Sequence, residues 1–360
     1  MTRAFLRGCS NAAAPLGAVI LALLVGAVLI ALAGHSPLDA YAALWQGAFG
    51  STRNFAETLI RFCPLALAAL AVAVAFRASF FTIGVEGQFY IGALATTFVA
   101  LKLSLLPSLL LIPSAVVAGM IAGMLWALLA GWLKVKFGVN EVIGTIMLNS
   151  IATLLVDYLV RGPLRAPGTD MQYTALIPAD AWLPHLLSRS RLHPGVLAPL
   201  IAGWLVHLFF SRTSMGYHIR VSGANPVAAR HAGIDVGRSL LIAVAISGIL
   251  AGLAGALEIV GVFHRLQAGI GFDYGYTAIP IALVGLSRVG PTLLAALFFA
   301  ALSVGATWMQ LKASVPFPVT LMLQGLIILF VVGGQALRSR FTFSGSPAAA
   351  IPAEAPEAVT

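Results

Sequence analysis

Apolar runs of about the length of a membrane span recur along this chain, and they constrain its fold more than any other feature. The runs extend from Leu16 to Val332 without a long polar interruption. A helix needs roughly 20 apolar residues to cross the hydrocarbon core of a bilayer. We interpret ten runs as candidate helices, some of them short enough to be broken or tilted. They cover residues 15–33, 59–76, 87–101, 109–133, 142–160, 195–210, 239–262, 277–286, 291–309 and 319–332.

The composition agrees with a protein whose outer surface faces lipid. Charged residues make up 9% of the 360 positions and hydrophobic residues 60%. A soluble domain carries roughly 25% charged residues, because water must wet its surface. We therefore predict an all-α integral membrane protein, a bundle of about ten transmembrane helices forming one domain over residues 1–343. The Ala/Pro/Glu-rich tail, 344–360, is predicted to be disordered.

The distribution of basic residues predicts the topology. The net charge is +9, but the basic residues lie mainly in short segments between apolar runs, which is a membrane topology signal and argues against nucleic-acid binding. Of 21 Lys and Arg residues, 12 fall on the cytoplasmic side if both termini are cytoplasmic. The loop 161–194 is then periplasmic and the segment 212–238 cytoplasmic. The first apolar run exceeds the 7–15 residues of a signal-peptide core, so we predict an uncleaved helix.

The segment 76–90 places polar groups inside an apolar region. Gly84 and Gly87 flank the carboxylate of Glu86, and Gln88 follows. Irregular backbone at membrane depth is tolerated only where it lines a cavity or is buried in protein. One interpretation is therefore a broken or re-entrant element beside a translocation pathway. The alternative is a plain cytoplasmic loop in which Glu86 is solvated or caps the next helix.

A second segment, 140–149, carries a polar stripe. Glu141, Thr145 and Asn149 recur at every fourth position and share one face of a helix. Because ionisable and polar groups are costly in lipid, this face is expected to point into the bundle. The stripe either lines a pathway or holds helices together by hydrogen bonds.

A third segment, 216–237, is too polar to insert into a membrane. Asn225 followed by Pro226 predicts the cap and first residue of a short helix that Gly233 ends. A short helix of small residues projecting from a membrane protein suits docking in a partner's groove. An unremarkable connecting loop is the alternative.

The motifs of catalysis are missing from the sequence. It contains no GxxxxGK[ST] phosphate-binding loop, so ATP hydrolysis is not expected of this chain. No catalytic triad, paired-carboxylate or metal-ligand arrangement stands out among its residues. We therefore predict no catalytic residue, no metal site and no cofactor, and we interpret His185, His207 and His264 as structural.

Together the three segments resemble a known family. FRASFFTIGVEGQ, NEVIGTIMLN and GANPVAARHAGI are similar to segments of bacterial ABC importer permeases of the branched-chain amino acid/ribose permease superfamily, particularly its nucleoside and simple-sugar branch. The resemblance covers about residues 15–334. It implies a type II ABC importer-like fold in the inner membrane. It also implies the partners of such importers: an ATPase with two nucleotide-binding modules that uses the ATP, a second and often different permease chain, and an extracytoplasmic solute-binding protein.

The resemblance also implies roles for individual residues. The segment 223–234 corresponds to the coupling helix that docks on the ATPase. The two other segments correspond to regions near the central pathway. The implied coupling residues are Gly223, Asn225, Ala229, Arg230, Gly233 and Ile234. The implied pathway residues are Phe81, Gly84, Glu86, Gln88, Glu141, Thr145 and Asn149.

The expected solute is a nucleoside, which is uncharged and aromatic. Phe80, Phe81, Phe89 and Tyr90 near Glu86 would suit stacking, although the same residues would serve as ordinary membrane packing. A simple sugar of the ribose or galactose type is the alternative. A secondary transporter fits less well, since it would usually carry more charged residues deep in its helices.

Overall fold

Every regular element in the described part of the chain is helical. The computed structural model describes residues 17, 19–187, 190–271 and 273–343; the predicted disordered tail and the start of the first candidate helix lie outside them. The helices are α1 (Val19–Leu32), α2 (Pro37–Phe49), α3 (Thr52–Arg77), α4 (Val85–Lys102), α5 (Ser108–Phe137), α6 (Glu141–Arg161), α7 (Ala198–Arg212), α8 (Ser214–Ala224), α9 (Pro226–His231), α10 (Val236–Glu258), α11 (Tyr274–Val284), α12 (Val289–Ala313) and α13 (Phe317–Phe343).

Each of the ten predicted runs overlaps one of these helices, but the count of about ten spans is not confirmed. Among the described residues, six helices are long and apolar enough to cross a membrane: α3, α5, α6, α7, α10 and α12, where α7 and α10 are extended by adjoining turns. Helices α1 and α2 form a pair bent by 120° that would make a seventh span. Three other helices are not among these candidate spans. Helix α4 begins with a polar turn, α11 has 11 residues, and the apolar part of α13, Leu321–Phe330, is short.

The centre of the bundle is held by backbone contact between α5 and α10. A Cβ atom on Gly252 would lie 2.3 Å from the carbonyl oxygen of Gly119, and one on Gly248 would lie 2.5 Å from that of Gly123. Real Cβ contacts are not this short, so the two helices touch without intervening side chains. Small residues allow such close approach where lipid supplies no hydrophobic driving force between helices. Gly248 and Gly252 are therefore residues of close helix packing.

The long loop 161–194 packs over the end of α10. Helix α10 passes into a π-helical turn, Ile259–Phe263, and the chain then returns to the bundle to begin α11. The loop hydrogen-bonds to the π-helical turn and to the residue that follows it: Leu183 N–H donates to Val260 O and Ile177 N–H donates to His264 O, both at 2.9 Å. The ring of His264 stacks on Trp182 at 4.1 Å. Burial lowers the pKa of His264 to about 4, so the ring is neutral at physiological pH, which agrees with a structural role.

Candidate functional site

Helix α4 begins inside the protein. After α3 ends at Arg77, residues 78–84 turn back into the bundle, with Ser79 in the left-handed region at φ 52°. Helix α4 then starts at Val85 without a side-chain cap, and its first turn is buried, including Glu86 and Gln88. The expected break in the helical backbone is therefore present, and Glu86 is buried rather than solvated.

The polar stripe of α6 holds this break in place. Thr145 Oγ1 accepts the N–H of Ile83 at 3.1 Å, and Asn149 Oδ1 accepts the N–H of Gly87 at 2.8 Å. Asn149 Nδ2 also donates to Ile83 O at 2.8 Å. A helix start has unpaired N–H groups, which are expensive to bury without partners. Thr145 and Asn149 thus satisfy the backbone at the break, as the hydrogen-bonding interpretation of the stripe expects.

Of the three remaining predicted pathway residues, Glu141 and Phe81 lie apart from the buried centre. Glu141 forms an ion pair with Lys134, whose Nζ is 2.5 Å from Glu141 Oε2, and this links the end of α5 to the start of α6. Phe81 is 53% exposed, and its ring lies 5.3 Å from that of Phe76. Gly84 is buried, and a Cβ there would meet Thr145 at 3.1 Å.

Glu86 joins the start of α4 to the start of α11. Its Oε2 accepts the N–H of Gly275 at 2.6 Å, in the first turn of α11. A Cβ on Gly275 would lie 2.3 Å from Glu86 N, and one on Gly271 would lie 2.3 Å from Glu86 Oε1. The two helix starts are therefore in contact, and both direct the positive ends of their dipoles into the bundle. Transporters use such interrupted helices at binding sites near the middle of the membrane.

A buried polar network lies beside this junction. Arg61 Nη1 donates to Tyr274 Oη at 3.1 Å, and Tyr274 Oη donates to Glu258 Oε1 at 3.3 Å, so the network connects α3, α11 and α10. It borders a cavity of about 330 Å³ whose polar lining includes Arg61, Asp273, Thr277, Ser303, Thr307 and Gln324. Our sequence interpretation missed Arg61 and Tyr274. The available signal was Arg61 itself, an arginine at the third position of the apolar run 59–76.

Two exposed residues at the start of α11 were also missed. Asp273, in the left-handed region at φ 58°, precedes the helix and is exposed, and Tyr276 is 43% exposed with its hydroxyl 3.5 Å from Asn149 Nδ2. Both lie next to the junction of the two helix starts. The glycines around them, in GIGFDYGY, were the signal that the backbone makes an unusual close approach here.

The predicted docking helix is present as α9. Asn225 caps it, since Oδ1 accepts the N–H groups of Val227 and Ala228 at 3.0 Å, and Gly233 ends it at φ 75°. The six implied coupling residues do not share one surface. Ala229 and Ile234 are buried and anchor the helix. Asn225, Arg230 and Gly233 are exposed.

Gly223 connects this segment to the break before α4. A Cβ on Gly223 would lie 2.1 Å from the carbonyl oxygen of Arg77, the last residue of α3. Ser79 Oγ also donates to Gly223 O at 2.7 Å. The end of α8 is therefore in direct contact with the segment that leads to Glu86. Helix α8 itself was not predicted, because its polar and small residues form no apolar run.

Comparison with known proteins places the chain in a family. Residues 54–332 match the family model described as the branched-chain amino acid transport system / permease component. The guanosine ABC transporter permease of Bacillus subtilis is 36% identical over 91% of this chain and 95% of its own length. The glucose ABC transporter permease of Haloferax volcanii is 35% identical, over 89% of this chain and 87% of its own length.

A third relative extends the same pattern. The nucleoside ABC transporter permease of Lactococcus lactis is 33% identical over 88% of this chain and 89% of its own length. No solved structure matches the chain significantly. The match covers the buried junction, the polar stripe of α6 and the α8–α9 segment. The chain therefore belongs to the branched-chain amino acid transport system / permease component family and is a multi-pass membrane permease of the ABC transporter type.

Proposed function

We propose that this permease imports a nucleoside, driven by ATP that a partner subunit hydrolyses. The observation that carries the proposal is the contact of Gly223 with the end of α3, because it connects a docking helix to a buried junction of two helix starts. Two of the three relatives described above are named for guanosine or nucleosides, and one is named for glucose. A simple sugar is therefore the second candidate.

The proposed mechanism is alternating access. ATP binding closes the partner ATPase and displaces α9, and the contact at Gly223 passes this displacement to residues 78–84. Because Glu86 holds the starts of α4 and α11 together, both would move as one unit. The chain needs two conformations of similar free energy, whose populations the ATPase and a solute-binding protein shift. No bond chemistry is required of this chain.

The proposed membrane arrangement has ten spans with both termini in the cytoplasm. Helices α1, α4, α11 and the apolar part of α13 would enter or cross the membrane beside the six long helices. The α8–α9 segment would meet an ATPase with two nucleotide-binding modules on the cytoplasmic side, and the solute-binding protein would dock on the other side. The positive flanks of the apolar runs support this orientation.

A second permease chain is proposed to cover the face that carries Asp273 and Tyr276. Both side chains are exposed next to a junction that lies between membrane-spanning helices. Polar groups at that depth are costly against lipid and normally face a bundle interior or a water-filled cavity. A pathway between two permease chains would provide such a cavity, with Asp273 and Tyr276 on its wall.

Uptake in cells tests the proposed solute. Cells that contain the gene should accumulate radiolabelled guanosine or adenosine, and deletion of the gene should abolish that uptake where no second system operates. Unlabelled ribose and galactose at about 100-fold excess should compete little. This excess would reveal a sugar that binds about 100-fold more weakly than the nucleoside. Strong competition by either sugar would move the solute to the sugar class. Normal nucleoside uptake in the deletion strain would contradict the nucleoside proposal.

A charge reversal on α9 tests the docking role. Arg230 is exposed on this helix, so Arg230→Glu should leave the fold intact while placing a negative charge at the proposed interface. We expect at least about a tenfold loss of ATPase recovered with the tagged permease, since like charges facing each other across an interface cost several kcal/mol. Arg53→Glu is the control, because Arg53 is exposed at the start of α3, the end of that helix away from Arg77 and the α8–α9 segment. Equal ATPase recovery from both variants would remove Arg230 from the interface.

A further inference from the structure

Three arginines converge beside the α8–α9 segment. Arg77, Arg220 and Arg288 line two adjoining cavities of about 400 and 350 Å³. In the described part of the chain, no carboxylate forms an ion pair with any of the three. Arg220 and Arg288 are exposed, and both lie close enough to act electrostatically on Arg77. Like charges held together in this way favour a bound anion.

The cavity walls hold Arg77 in position. Its Nε donates to the carbonyl oxygen of Ser287 at 2.9 Å, and its guanidinium lies 4.5 Å from the ring centre of Phe210. These contacts fix the side chain between the end of α3, the end of α7 and the turn before α12. The two Nη groups then remain to donate to an anion, and guanidinium groups suit the oxygens of a phosphate particularly well.

The second cavity lies where two membrane spans end. Its lining comes from the last residues of α7 and the first residues of α12, including Phe210 and Pro291. Further along these helices, Trp204 and Leu205 of α7 and Leu294 of α12 are exposed by 60%, 53% and 71%. A basic cavity therefore continues into an apolar surface, which is the arrangement that a phosphate group with attached acyl chains requires. Basic pockets between transmembrane helices bind anionic lipid headgroups.

We propose that Arg77, Arg220 and Arg288 bind the phosphate of an anionic phospholipid, with its acyl chains lying along α7 and α12. An acidic side chain of the ATPase would meet the same charges, but the exposed residues that continue from the second cavity along α7 and α12 are apolar, which favours a lipid with acyl chains over a water-soluble subunit. The site adjoins Gly223, because the larger cavity includes both Gly223 and Ser79. A bound lipid would therefore touch the proposed coupling contact, although the binding itself does not depend on the identity of the solute.

Lipid titration of the assembled transporter tests this site. The complex is purified through a tag on this chain, and phosphatidylglycerol and phosphatidylcholine are titrated separately with native mass spectrometry as the readout. The wild type should bind phosphatidylglycerol more tightly. In Arg220→Gln/Arg288→Gln the phosphatidylglycerol affinity should fall by about fivefold for each arginine replaced. Lys136→Gln, an exposed basic position at the end of α5, should change it little.

The alternatives give different results in the same preparation. Unchanged phosphatidylglycerol affinity in the double variant, or equal affinity of the wild type for the two lipids, would overturn the proposal. Displacement of the lipid by glycerol 3-phosphate at equal concentration would reassign the cavity to soluble phosphates. Loss of the ATPase from the double variant with lipid affinity retained would make the cavity a protein interface. Because Arg77 is fixed by packing, it is left unchanged so that the variant folds.

Discussion

Gly223→Val should abolish uptake by the transporter while its ATPase remains bound. The first side-chain carbon would lie 2.1 Å from the carbonyl oxygen of Arg77, so the backbone of α8 must separate from the end of α3. Arg230, the proposed docking residue, keeps its exposed side chain in this variant. We expect uptake to fall by at least about tenfold, equivalent to about 1.4 kcal/mol or more in the transport barrier. ATP hydrolysis by the complex should continue without transport.

The measurement is solute uptake and ATP hydrolysis on the same reconstituted complex. Gly325→Val is the matched control, because Gly325 lies in α13 and a Cβ there meets no atom of the described residues within 4 Å. That variant should retain uptake. If Gly223→Val transports normally, the contact between α8 and α3 is packing without a coupling role. If the variant instead loses its ATPase, Gly223 supports docking rather than transmission.

Asn149→Ala should produce the largest loss of stability among single polar substitutions at the junction. Removing the amide leaves the N–H of Gly87 and the carbonyl of Ile83 without their partner. Each orphaned buried group costs about 1–3 kcal/mol. We therefore expect a lower unfolding temperature, and uptake reduced because the start of α4 is no longer held against α6.

Thermal unfolding of the purified transporter checks this expectation. Ser150→Ala is the neighbouring control, since the Ser150 hydroxyl is exposed and donates only to Ile146 O in its own helix. Asn149→Asp retains the acceptor for Gly87 but loses the donor to Ile83 and buries an ionisable carboxyl group, so it should also be less stable than wild type. A melting temperature for Asn149→Ala equal to that of the control would show that the break is held by other contacts.

Several features of the fold follow from local sequence. The apolar runs place ten of the helices, because the requirement to satisfy backbone groups in lipid forces such runs to be helical. The cap and end of α9 follow from Asn225, Pro226 and Gly233, which act through adjacent backbone atoms. The same local reasoning predicts complete spans where the structure has shorter helices: α11, for example, is 11 residues long. Hydropathy measures composition and does not distinguish a full crossing from a helix that starts inside the bundle.

The assignment of the polar residues depended on tertiary structure. Spacing along the chain does not distinguish a solvated Glu86 in a loop from a buried one. It also does not distinguish a pathway role of Thr145 and Asn149 from a role in helix packing. The structure shows which residues distant in sequence these side chains contact: Gly275 donates to Glu86, and Asn149 accepts the N–H of Gly87. The contact between Gly223 and Arg77 likewise joins two segments that lie far apart in the sequence.

The sequence by itself thus determined that the chain is helical, that it lies in a membrane and which segments carry its polar motifs. These properties depend on residue composition and on neighbours within one helical turn. Only the tertiary structure decided that α4 and α11 both begin inside the bundle and that Glu86 of α4 accepts a hydrogen bond from the start of α11. It also decided that Arg77, Arg220 and Arg288 line one cavity. Such arrangements arise when separate segments pack together, and their energies depend on distances that spacing along the chain does not encode.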